Sequence, residues 1–343
     1  MAAAELPVIT HAELNPAWLS WHREEILEPN LPIIDPHHHL WNRGGGYFLD
    51  KLLEDTNSGH NVVATVFAQC GYAYRTTGPE ELRPVGETEF VAGIAREAER
   101  RKLKTRACAG IVGAADLALG DRVAEVLRAH IDAGDGRFRG IRHITARHDE
   151  FNASLLPRPP ARQMAEPAFR KGFERLASLD LTFDAWLYHT QIPELTELAR
   201  AFPQAPVVLN HVGGPLGVGP YKGKRDKTFQ EWLAAMKDLA RCPNVQVKLG
   251  GLGMAIMGFD FHKEKLPPSS EKLAAEWRPL METSIQLFGA KRCMFESNFP
   301  VDKAMFSYAV LWNAFKRIAA GASAAEKSAL FHDTAARFYR LQI

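Results

Sequence analysis

No apolar run in this 343-residue chain approaches the ~18 consecutive residues that a membrane span requires, and no basic stretch followed by an apolar one opens it. A cytoplasmic protein without membrane contact is therefore the expectation. The four cysteines (Cys70, Cys108, Cys242, Cys293) form no CxxC pair, and three sit in or beside apolar runs, so they read as reduced core residues rather than a disulfide or zinc framework. Charge of one sign is not in excess either. With a formal net charge of +2 and no basic stripe interleaved with aromatics, nucleic acid is not an expected partner; the densest basic run, Arg96 to Lys104, reads as the solvated end of a helix. Compositional bias toward disorder is missing as well, since 46% hydrophobic and 24% charged residues are the proportions of an ordinary globular chain.

What is present is alternation. Strand-like apolar runs are expected at 32–37, 62–69, 106–112, 138–144, 181–189, 206–211, 245–249 and 292–296, separated by segments with apolar residues every three to four positions. Eight strands alternating with helices predict an α/β fold, a single (β/α)8 TIM barrel over residues 31–343. Residues 1–30 form an N-terminal helical arm, with Asn15-Pro16 as cap and first helical position, packing over the barrel or over a neighbouring subunit of a homo-oligomer. The last helix, 324–341, is expected to complete the outer ring. No GxGxxG follows the first strand, which argues against a doubly wound dinucleotide fold.

In the place of such a loop stands Ile34-Asp35-Pro36-His37-His38-His39-Leu40-Trp41. In an extended chain successive side chains alternate, so His37 and His39 share a face, with Asp35 and Ile33, while His38 points to the other. Two imidazoles on one face of a strand end are suited to a shared ion or a polarised water. Other ionisable or amide residues recur at the carboxyl ends of the expected strands: Gln69, Arg142 or His143, His189, His211, Lys248, and Glu296 with Asn298. A barrel needs only apolar filling there, so this accumulation of polar groups points to a site at the barrel mouth.

These motifs, together with Asn210-His211-Val212-Gly213-Gly214 and Phe295-Glu296-Ser297-Asn298-Phe299-Pro300-Val301-Asp302, resemble the amidohydrolase superfamily, in the branch of sugar-acid and pyrone-dicarboxylate lactonases. The resemblance extends from Leu31 to the end of the chain. It implies a metal at His37, His39, His211 and, from the fifth strand, His189, with one divalent ion, zinc or manganese, or a metal-free site built from the same residues. Two positions depart from the pattern. Arg142 stands where binuclear members carry a carboxylated lysine and, as a fixed cation, cannot ligate; Asn298 replaces the aspartate of the last strand and cannot act as a base.

The expected activity is opening of a lactone of a small carboxylated or hydroxylated acid by activated water. Glu296, Asn298 and His211 carry the chemistry in this reading, and Arg142, Lys248, Gln69 and Tyr221 bind an anionic small molecule. The alternatives are a non-oxidative decarboxylase of an aromatic or unsaturated acid, and a barrel that binds a small acid without catalysis.

Overall fold

A computed structural model describes residues 6–154 and 158–343; the beginning of the arm and residues 155–157, within the loop expected after the fourth strand, lie outside the described residues. Eight parallel strands follow the chain in order around one sheet. They are β1 (Pro32–His38), β2 (Asn61–Ala68), β3 (Arg106–Gly113), β4 (Phe138–Ile144), β5 (Thr182–Trp186), β6 (Val207–Leu209), β7 (Val245–Leu249) and β8 (Cys293–Phe295). The seam between β8 and β1 closes through the parallel bridge of His38 with Phe299. Asn298 N–H donates to the His37 carbonyl at 2.9 Å, and His39 N–H to the Phe299 carbonyl at 2.8 Å. This is a (β/α)8 barrel.

One helix follows each strand: α1 (Leu49–Thr56), α2 (Val85–Arg100), α3 (Val123–Ala133), α4 (Pro167–Ser178), α5 (Ile192–Ala201), α6 (Arg225–Leu239), α7 (Ser270–Phe288) and α8 (Tyr308–Ile318). Caps and prolines mark several starts. Ser269 and Ser307 accept N–H groups of the first turns of α7 and α8, and Pro167 opens α4, where its missing N–H costs nothing. The helices bury their periodic apolar faces, among them Val91, Phe173, Leu195, Trp232, Trp277 and Trp312, against the outer face of the sheet.

A second, smaller apolar cluster fills the barrel from below and corrects one expectation. Ile34, Ala64, Val66, Val112, Val208 and Met294 pack against Ala335, Phe338 and Tyr339. The C-terminal segment therefore joins the outer cluster only through Leu330 and Phe331 and then leaves it. It passes through a π-helical turn at Ala329–Asp333 and stoppers the end of the barrel where the strands begin. The arm contains the expected short helix, Pro16–Leu19, with Asn15 Oδ1 accepting the Trp18 N–H at 3.0 Å. Ahead of it, Val8–Ile9 pairs in parallel with Asn152–Ala153 on the loop after β4, so the arm crosses the barrel mouth.

Candidate active site

The register of β1 decides which histidines enter the barrel. Strict alternation would place Asp35 with His37, but a bulge interrupts the pairing with β2 between Asp35 and His38 and resets the parity. Ile34 packs in the inner cluster and Ile33 in the outer one. Asp35 turns outward to accept Tyr308 O–H at 3.0 Å and Ser297 N–H at 3.0 Å. His37 and His39 do share a face, their ring centroids 4.9 Å apart, whereas His38 faces out to Thr65 Oγ1 at 2.9 Å. The expectation that Asp35 and Ile33 share the face of His37 and His39 is thus corrected.

His211 reaches the same point from the opposite wall, its ring 4.6 Å from that of His37. Its backbone, and that of Val212, lies in the left-handed region at φ 55° and 47°, a conformation that few L-residues adopt. Room for its ring depends on the end of β7. A Cβ on Gly251 would stand 2.3 Å from His211 Nδ1, and one on Gly250 2.5 Å from Glu296 Cγ, so only glycine fits at both positions.

Below the rim, two buried cations, Arg142 and Lys248, face two buried carboxylates, Asp184 and Glu296. Lys248 Nζ bonds Asp184 at 2.7 Å, and Asp184 also accepts Asn210 Nδ2 at 3.1 Å and Tyr339 O–H at 2.8 Å. The C-terminal stopper thereby anchors the charged floor of the site. Glu296 Oε1 accepts both the backbone N–H of His211, at 3.0 Å, and its Nδ1–H, at 2.7 Å. Its other oxygen lies 2.9 Å from His37 Nδ1 yet has no aligned hydrogen-bond donor among the described residues.

His37 stands between the two cations, with Lys248 Nζ 3.2 Å from Nδ1 and Arg142 Nη1 3.3 Å from Nε2. Burial first, then these neighbouring charges, push its pKa well below the ordinary imidazole value, and it is neutral. His39 is held low mainly by burial and next by Arg142. Burial lowers His211 as well, opposed by the Glu296 carboxylate.

Tautomers follow from the partners. His39 Nδ1 lies 2.7 Å from the Ala68 carbonyl, which can only accept, so Nδ1 carries the proton and Nε2 a bare lone pair. That lone pair faces Asn298 Oδ1 at 3.3 Å. The amide is turned this way because its Nδ2 donates to Asp302 Oδ1 at 2.8 Å, while Asp302 Oδ2 accepts Gly253 N–H at 2.9 Å. Two acceptors therefore converge with no donor between them. Such a pair is complementary to a water, a hydroxyl or a cation.

The cavity above has a volume of about 290 Å³ and is lined by His39, Trp41, Gln69, Arg142, Trp186, His211 and Asn298 among others, with no carboxylate in its wall among the described residues. Trp41 stacks on His39 at an interplanar angle of 9°, and the edge of Trp186 meets His211 at 4.7 Å. Gln69, Arg142, His39, His211 and Asn298 thus gather at the mouth. His37, Lys248 and Glu296 lie beneath the pocket rather than in its lining, so direct contact of Lys248 or Glu296 with a bound molecule is not what the geometry offers.

His189 and Tyr221 are elsewhere. Inner and outer positions alternate along β5, and Asp184 and Trp186 take the inner ones. His189 lies beyond the strand, against Tyr221 at 4.8 Å and Glu231 at 3.6 Å, and the Tyr221 hydroxyl donates to Glu231 at 2.9 Å. Both expectations, His189 as a metal ligand beside His37 and Tyr221 as a binding residue, are corrected. Asp184 and Trp186 were missed, although a lone aspartate in the apolar run Thr182-Phe183-Asp184-Ala185-Trp186 is a signal for an inward polar position.

For an ion, His37, His211 and Glu296 offer one ligand atom each, all within 4.8 Å of one another. Imidazole nitrogen with carboxylate oxygen is a donor set suited to zinc or manganese. The orphaned Glu296 oxygen is the observation that makes the fit more than compositional.

A family model described as Amidohydrolase matches residues 34–341. The chain is 36% identical to the uncharacterized protein y4mH of Sinorhizobium fredii over 335 residues, covering 91% of this chain and 99% of that one. It is 27% identical to an L-fucono-1,5-lactonase of Burkholderia ambifaria over 283 residues, 79% of this chain and 81% of the relative. Among solved structures, an amidohydrolase of Burkholderia multivorans with bound zinc superimposes with a TM-score of 0.70 at 24% identity, covering 90% of this chain and 99% of that chain.

Proposed function

Since the chain belongs to the amidohydrolase family, and is a hydrolase on that footing, we propose that it opens a lactone ring of a small anionic acid by attack of water held between His39 and Asn298. The observation that carries this reading is the converging acceptor pair, His39 Nε2 and Asn298 Oδ1, 3.3 Å apart. One water donating to both keeps its two lone pairs free, and one of them can be directed toward the cavity, where an ester carbonyl can approach.

The neutral His39 ring takes the water proton at Nε2 as the oxygen bonds to the carbonyl carbon, and the Ala68 carbonyl on Nδ1–H stabilises the imidazolium; when the adduct collapses, the bond from the carbonyl carbon to the ring oxygen breaks and the imidazolium returns its proton to the leaving alkoxide. The amide of Asn298 accepts a hydrogen bond and orients the water, and the aspartate it replaces is not needed as the base. Arg142 lines the cavity with Nη1 beside His37 Nε2 and Nη2 donating to the Gln69 carbonyl, which hold the guanidinium where it can fix a carboxylate or face the developing oxyanion. Trp41 and Trp186 exclude bulk water from the two imidazoles. His37, His211 and Glu296 would hold a divalent ion such as the zinc of the Burkholderia multivorans neighbour, which supplies carbonyl polarisation and a more acidic water.

The test is a panel of sugar-acid, aliphatic and aromatic lactones followed with a pH indicator, on wild type, His39→Gln and Asn298→Ala. Acid release by wild type, a loss of kcat of about 10²- to 10⁴-fold in His39→Gln and a smaller loss in Asn298→Ala are expected. Release of carbon dioxide from an aromatic acid, with no lactone opened, contradicts the reading in favour of decarboxylation.

A further inference from the structure

The cavity at the histidines has a second one beside it. The larger neighbour, about 420 Å³, is lined by His11, Ala12, Glu13, Leu14, Trp41, Arg43, Gly44, Gly46, Tyr47, Pro300, Val301 and Ala304. Four of these, His11, Trp41, Arg43 and Val301, also line the catalytic cavity. They stand at the boundary between the two spaces.

One wall of this annex is the N-terminal arm, which lies ahead of the residues that the family model matches. Its position is fixed by pairing rather than by chance packing. Val8–Ile9 runs beside Asn152–Ala153, Asn152 N–H donates to the Pro7 carbonyl at 2.9 Å and Ser154 N–H to the Ile9 carbonyl at 2.8 Å. His11 N–H donates to Ser154 Oγ at 3.2 Å. Residues 11–14 are thereby held over the loop that follows β1.

The chemistry of the annex is mixed in a definite way. Ala12, Leu14, Tyr47, Pro300, Val301 and Ala304 give it a largely apolar lining beside Glu13, and Leu14 is 42% exposed. At this boundary Arg43 lies over the Trp41 ring, 5.2 Å from its centroid, and no carboxylate pairs with it among the described residues. A ligand complementary to this arrangement has an alkyl or aryl substituent for the annex and an oxygen acceptor near its point of attachment for Arg43 and His11.

We propose that the annex is a substrate subsite that receives an apolar alkyl or aryl substituent carried by the lactone ring, with Arg43 and His11 binding the oxygen at its point of attachment. The substrate is then a substituted lactone rather than a bare ring. This assignment of substrate class rests on the hydrolase reading above, and the two fail in different experiments.

The ratio of kcat/KM for δ-decalactone, which carries a pentyl chain, to that for unsubstituted δ-valerolactone reads the annex directly. Wild type is expected to favour δ-decalactone by at least tenfold. Ala12→Trp, which fills the annex, and Leu14→Ser, which removes part of its apolar wall without adding bulk, are expected to bring the ratio towards one. A wild-type ratio near one, or a ratio that neither variant changes, overturns the subsite while leaving lactone hydrolysis standing. Should wild type open neither lactone, octanoate binding by calorimetry decides the annex independently. Binding by wild type that weakens at least fivefold in Ala12→Trp supports the subsite even though the hydrolase reading has failed; no binding, or equal binding by both proteins, overturns it.

Discussion

Replacing Glu296 by glutamine keeps the shape of the side chain and removes one charge from a floor that is balanced, two cations against two carboxylates, all buried. The new side chain can keep accepting both His211 donors through its oxygen, but its amide nitrogen must then face His37 Nδ1, which lies 2.9 Å from Oε2 in wild type. That nitrogen competes with Lys248 Nζ, 3.2 Å from Nδ1, for the same ring nitrogen, and Lys248 and Arg142 lose one of the two carboxylates that balance them, at a cost of about 3–5 kcal/mol. With an unfolding entropy of ~2 cal/mol/K per residue over 343 residues, Tm should fall by about 4–7 °C in thermal scans. Displacement of Arg142 costs one charge-assisted contact, about 1.5–3 kcal/mol, so KM for an anionic lactone should rise by about 10- to 100-fold. Glu296→Asp, which keeps the charge, should lose less Tm. A Glu296→Gln protein with Tm within a degree of wild type and KM within twofold refutes the charge-balanced floor.

Other expectations follow from the same geometry. Burial raises the Glu87 carboxyl to about 7, with hydrogen bonds from the backbone of Tyr72 and Cys70 opposing the shift. A carboxyl raised in the folded state contributes stability that is complete below its unfolded pKa, near 4.5, and is lost as pH rises towards 7. Denaturant titrations should therefore show Glu87→Gln gaining about 3 kcal/mol on wild type between pH 4 and pH 8, and parallel profiles for the two proteins contradict the shift. Gly251→Ala must displace the His211 ring, whereas Gly136, also at positive φ with nothing within 4 Å, tolerates alanine at the cost of backbone strain alone, about 1–2 kcal/mol. Activity should collapse only in the former, and equal losses in both would show that Gly251 matters for the backbone only. Calorimetric zinc titration of chelator-treated protein should give one site in wild type and a site at least tenfold weaker in His211→Ala; unchanged affinity removes His211 from the ion's ligands.

The barrel was legible because its eight apolar runs and the helical periodicity between them are local signals. The meeting of His39, His211, Arg142 and Asn298 at one rim followed from strand ends alone; His37 lies beneath it. What escaped the sequence depends on contacts between distant segments. The bulge that turns Asp35 outward is a property of the pairing of β1 with β2, and the burial of Lys248 and Glu296 beneath the pocket depends on how deep each strand enters the barrel. His189 failed by parity: one or two residues of register separate a strand end from the turn that carries its ring towards Glu231. The C-terminal stopper was hidden for a different reason, since its apolar positions suit an outer helix equally well until Tyr339 is seen to reach Asp184. Asn298 was read as a missing base. Its role depends on Asp302, which fixes the amide, and on Ala68, which fixes the tautomer of His39, and neither contact leaves a mark in the motif.

Turnover of a hydrolysed lactone in oxygen-18 water, with the product weighed by mass spectrometry, tests most directly whether a water held at this rim attacks the ring carbonyl. A hydroxy acid heavier than the lactone by one labelled water, the heavy oxygen residing in the new carboxylate and its formation abolished in His39→Gln, is the predicted result. Label appearing in the hydroxyl instead, or full incorporation at an undiminished rate in His39→Gln, would contradict it.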